Sequence, residues 1–161
     1  MSWTSDLRKL RARPWLDRWL LLEAVIWLGL THAAIVLLPF RRVAALLGLA
    51  QGKSPIALEP ARVNRAERIG WAMRVAAART PWNSTCLCQA LAGVVLLRQW
   101  GIPGTLYLGI AKDENTTETM TVPAWVAQSW AAHAWLRCGE NILTGASGHE
   151  QFTVLATFAV V

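Results

Sequence analysis

The sequence predicts an α+β fold, with helices first and an antiparallel sheet after them. Three observations carry that prediction. Up to about Trp100 the apolar residues fall in long runs bounded by helix-start and helix-stop residues. From Thr105 onward short apolar runs alternate with polar turns, as strands require. The chain also has 161 residues, 54% apolar and 16% charged, which suits one domain with a real core and excludes disorder.

Residues 5–22 place Leu10, Trp15, Leu20 and Leu21 among Arg8, Lys9, Arg11, Arg13 and Arg18, interrupted by Pro14. This reads as a basic arm entering a helix. The run from Ala24 to Phe40 is mostly apolar and closes at Leu38-Pro39, followed by Arg41 and Arg42. It is shorter than the about 20 residues of a membrane span, and His32 would lie mid-bilayer. A buried helix is expected, with a membrane-surface or partner-docking helix as the alternative. The acidic Asp17 and Glu23 argue against a signal peptide. A short helix is expected over Arg42–Leu47, with Gly48 as its stop.

Gln51-Gly52-Lys53-Ser54-Pro55 is the clearest linker. It divides a helical N-terminal region, 1–52, from a core region, 53–161. Pro60 opens a helix at a position where its missing N–H does no harm, and Thr80-Pro81 ends it. Asn83-Ser84-Thr85 offers N-caps for the next helix, from Cys86 to about Trp100, which Gly101-Ile102-Pro103-Gly104 stops. Thr105–Ile110 reads as a buried strand, Lys112–Val122 as a loop or weak hairpin, and Gln128–Arg137 as a segment holding a strand centred on His133. A turn at Gly139-Glu140 or Glu140-Asn141 leads into a return strand at Ile142-Leu143. Phe152–Val161 forms the last strand.

Composition narrows the function. Three cysteines, Cys86, Cys88 and Cys138, are an odd and thin set for a disulfide framework, so a reduced, cytoplasmic compartment is expected. Residues 1–100 hold 14 Lys/Arg and 5 Asp/Glu, and residues 101–161 hold 2 and 5. The basic first part suits an acidic partner, an anionic membrane surface, nucleic acid or simply an Arg-rich solvated surface, but no nucleic-acid motif accompanies it. Membrane contact is not expected. Cys86, Cys88, Cys138 and His133 match no zinc spacing, so neither a metal nor another cofactor is expected.

Cys86 falls in the first turn of its helix. Free N–H groups there favour a thiolate and can receive an oxyanion. Cys88 lies about 200° round the helix at ~3.6 residues per turn, on the face of Leu91 and Val95, and reads as core. His133, flanked by Ala132 and Ala134, is the candidate general base, although spacing alone equally allows a structural histidine. His32 reads as a core residue bonded to backbone and His149 as solvated.

The blocks Cys86-Leu-Cys-Gln-Ala-Leu-Ala92, Leu96-Leu-Arg-Gln-Trp-Gly-Ile-Pro103, Leu106-Tyr-Leu-Gly-Ile110, Ala132-His-Ala-Trp135 and Phe152-Thr-Val-Leu155 resemble the transglutaminase-like peptidases of lasso-peptide biosynthesis, in their stand-alone leader-peptidase form. The resemblance covers nearly the whole chain, including Leu37-Leu-Pro-Phe-Arg-Arg42. It implies a papain-related core in which a nucleophile helix packs on the antiparallel sheet. It also implies a cysteine peptidase that removes the leader from a ribosomally made precursor peptide, after which an ATP-dependent lasso cyclase closes the macrolactam. A small leader-binding protein would deliver the precursor, with the helices before Gly48 as a docking region. By that pattern Cys86 is the nucleophile and His133 the general base.

The pattern's third member is an acidic residue about a dozen positions after the histidine. Here that place reads Thr144-Gly145-Ala146. Asn141, Thr144, Ser147 and Glu150 are the side chains available to orient the imidazole, as an asparagine does in papain-like enzymes. The missing acid also leaves open a catalytically silent scaffold that docks the precursor and its partners.

Overall fold

The computed structural model describes residues 13–48, 50–112 and 130–160. The expected loop or hairpin after Lys112 lies almost wholly outside the described residues, as does most of the basic arm. Four helices, α1 (Trp15–Leu37), α2 (Phe40–Leu46), α3 (Pro60–Ala77) and α4 (Cys86–Gln99), are described with five strands. These are β1 (Ala50–Gln51), β2 (Gly104–Lys112), β3 (Trp130–Cys138), β4 (Asn141–Thr144) and β5 (Thr153–Val160), with a 3-10 turn at His149–Gln151. The sheet is antiparallel in the order β1-β5-β2-β3-β4. The mixed class is the one the sequence predicts.

Local chemistry accounts for most boundaries. Pro60 occupies the first turn of α3, where no intrahelical N–H bond is due. Thr85 caps α4, its Oγ1 accepting the Cys88 N–H at 3.3 Å. β3 and β4 are joined by Gly139-Glu140, as expected, with Cys138 facing Asn141. Pro14 ends the arm, and α1 then runs unbroken across the point where the apolar run begins.

The helices lie on one side of the sheet. Gly93 of α4 faces Leu136 of β3, Leu97 faces Gly104 of β2, and Gly70 of α3 faces Leu143 of β4. α1 forms an outer layer on α3 and α4, burying Leu20, Ala24 and Leu28 completely. Residues on both sides of the Gln51–Pro55 turn share this core: β1 pairs β5, Ala50 opposite Ala159, and Leu20 and Leu28 join Ile69, Leu91 and Leu136 in one cluster.

α1 is buried along one side only. Trp19, Leu22, Ile26, Leu30, Val36 and Leu37 remain exposed, which corrects the expectation of a buried helix. The run is apolar all round, so its periodicity could not mark which side would face solvent. The Gly93 contact shows how tightly α4 meets the sheet: a Cβ there would approach Leu136 Cδ2 to 2.6 Å. Leu136 is fully buried, so Leu136→Ala should cost about 2–5 kcal/mol through lost contacts and a residual cavity. A lowered urea midpoint at unchanged m-value checks this.

Candidate active site

Cys86 is the first residue of α4, and it is partly exposed where Cys88 and Cys138 are buried. Its spacing to Ala90, Gly93 and Leu97 puts it on the sheet-facing stripe of the helix. The amides of Cys86 and Leu87, at the first two helical positions, have no acceptor among the described residues. They are the N–H groups a helix start offers to an anion.

Cys88 lies on the opposite side, as expected. Its thiol contacts Thr31 Oγ1 and the Leu28 carbonyl, both at 3.3 Å. Burial pushes its pKa up, against a smaller lowering by the Thr31 bond. Cys138 is likewise raised by burial, with the Arg137 charge opposing. Both are kept as thiols and are poor nucleophiles.

His133 sits in β3 opposite Gly109 of β2. Its Nε2 lies 2.8 Å from the Gly145 carbonyl oxygen, an acceptor, so Nε2 donates its N–H, and in the neutral ring Nδ1 is the nitrogen that can take a proton. The ring packs on Phe152 at 4.9 Å and on Trp135 at 5.9 Å between centroids. Trp135 in turn stacks on Tyr107 at 5.2 Å and touches His149 at 5.7 Å.

Gly145 makes this possible. Its φ of 71° is left-handed, and a Cβ there would collide with the Ala134 carbonyl oxygen. Only glycine brings its own carbonyl to the imidazole without strain.

The group that bonds the ring is a main-chain carbonyl at the place where the acid was missing, and none of the four candidate side chains bonds it among the described residues. Asn141 pairs with Cys138, five positions along β3 from His133, and its Nδ2 donates to Glu67 Oε1 at 2.8 Å. Thr144 is buried beside Gly93, its Oγ1 without a partner among the described residues. Ser147 is exposed, and the exposed Glu150 carboxylate lies 3.5 Å from His149 Nδ1. His149, expected to be solvated, is half-buried and bonded through Nδ1 to the Ala146 carbonyl at 2.7 Å. His32, expected to bond backbone, instead lies beside the Trp82 ring at 6.3 Å.

Cys86 and His133 lie toward the same end of the helix–sheet layer. Cys86 is seven residues, or about 10 Å, beyond Gly93 along α4; His133 is three residues, or about 10 Å, beyond Leu136 along β3. They do not meet. Strand alternation turns His133 to the face opposite Leu136, the face that Trp135, Tyr107 and Phe152 cover. No hydrogen bond joins the thiol to the ring among the described residues.

The family model described as the Transglutaminase-like superfamily matches residues 34–157, about three quarters of the chain. No curated protein and no solved structure shows significant similarity to it.

Proposed function

The chain belongs to the transglutaminase-like superfamily, and on that premise we propose that it is a cysteine peptidase that removes the leader from a lasso-peptide precursor. Cyclisation by a separate ATP-dependent enzyme would follow, in the cytoplasm, with a small leader-binding protein presenting the precursor. The observation that carries this reading is Cys86 at the start of α4: a partly exposed thiol beside two unpaired amides.

Cys86 Sγ attacks the carbonyl carbon of the scissile bond. The amides of Cys86 and Leu87 receive the oxyanion. His133 Nδ1 takes the thiol proton and returns it to the leaving amine, and water then cleaves the thioester. The Gly145 carbonyl holds the Nε2–H tautomer, the service an asparagine or aspartate side chain gives elsewhere. Because no hydrogen bond joins ring and thiol among the described residues, this reading requires that end of β3 to rearrange until the imidazole reaches the thiol as the precursor seats.

One observation favours a second reading: no hydrogen bond joins the His133 ring to the Cys86 thiol among the described residues. The chain is then a silent scaffold. Iodoacetamide near neutral pH separates the two. A peptidase modifies at Cys86 well above the rate of free cysteine, whereas a rate no higher than that of free cysteine contradicts a primed nucleophile; the buried Cys138 lags in either case.

A further inference from the structure

The exposed side of α1 is apolar along its length. After Arg18, its exposed residues are Trp19, Leu22, Val25, Ile26, Leu30, Ala33, Val36 and Leu37. With Trp15, these recur at helical spacing along all 23 residues of α1, about 34 Å at 1.5 Å per residue. Val36 and Leu37 are 69% and 78% exposed, and Trp15 at the other end is 71% exposed. A stripe this long exceeds the scattered apolar surface of an ordinary monomer.

The charges at its ends identify the occupant. Arg18 stands at one end, and Arg41 and Arg42 at the start of α2 stand at the other; all three are exposed and none has an ion-pair partner among the described residues. A second copy would bring arginine against arginine in either orientation of the two helices. A protein partner would need polar groups to bond at a density of about one per 100–200 Å², and the exposed residues from Trp19 to Leu37 offer only the Trp19 indole, which Glu23 already holds at 2.9 Å. A lipid surface asks for neither. Apolar side chains enter the acyl boundary, a tryptophan sits at headgroup depth, and arginines meet anionic headgroups.

We propose that α1 docks this protein flat on an anionic lipid surface through Trp15, Leu22, Ile26, Leu30 and Leu37, with Arg18, Arg41 and Arg42 on the headgroups. By length and composition α1 is apolar enough to cross a membrane, but its other side buries Leu20, Ala24 and Leu28 against α3 and α4. It therefore lies in the interface. This inference stands apart from the peptidase reading, since it uses none of the residues of the candidate active site.

Flotation of the full chain with vesicles of phosphatidylglycerol and phosphatidylcholine in equal parts, beside pure phosphatidylcholine, tests it. The mixed vesicles should carry the protein on the order of tenfold more strongly, and added salt should release it. Leu22→Glu with Ile26→Glu should abolish flotation at unchanged circular dichroism, and Arg41→Glu with Arg42→Glu should reduce it to the phosphatidylcholine level. Equal binding to both vesicles, no binding to either, or full flotation of the double-glutamate variant overturns the proposal. So does a stable dimer that only the glutamates dissolve.

Discussion

Cys86→Ala should stop precursor cleavage and leave the fold in place. Loss of a nucleophile lowers turnover by a factor on the order of 10⁴–10⁶ when the remaining groups act only with it. The side chain is only partly buried and makes no hydrogen bond among the described residues, so the melting temperature should barely change. Cys88→Ala gives the opposite result. Its thiol is fully buried against Thr31 and Leu28, and losing it should cost about 1–2 kcal/mol of stability while cleavage persists. Progress curves and thermal melts on the two variants check both halves. If Cys88→Ala loses cleavage while remaining folded, the assignment of roles is reversed.

Gly145→Ala should cripple catalysis through an atom that no side-chain scan would touch. The substitution forces a left-handed φ on a residue with a Cβ and drives that Cβ into the Ala134 carbonyl. The strain is about 1–3 kcal/mol, and the loop relieves it by moving the carbonyl away from His133 Nε2. The ring then loses its tautomer and its aim. Replacing the aspartate that orients a triad histidine costs about 10⁴-fold, so a loss on the order of 10²-fold or more in kcat is expected here. Asn141→Ala, Ser147→Ala and Glu150→Gln should each keep near-normal turnover, because none of these side chains bonds the ring. A large loss at Glu150 with Gly145→Ala active would return the third role to a carboxylate.

Much of the fold was legible because its signals are local. Pro14, Pro60, Thr85 and Gly139-Glu140 punctuate the chain through one residue's backbone chemistry, and the elements begin and end within a few residues of them. Cys86 at a helix start was legible for the same reason. The carbonyl that bonds His133 was not. Every residue carries a carbonyl, and only the Gly145 backbone conformation distinguishes this one. Nor was the face of β3. Alternation places His133 with Trp135 and Arg137, but which face α4 covers depends on tertiary contacts such as Gly93 on Leu136. The exposed side of α1 was hidden by a composition that is apolar all round.

The most direct test of the peptidase reading is mass spectrometry of a lasso precursor incubated with this protein and its leader-binding partner, wild type beside Cys86→Ala. One leader-sized cut with wild type alone is the expected result. No cut with either, while the complex still forms, contradicts the peptidase and leaves a docking scaffold whose His133 is held by Gly145 on the far face of the sheet.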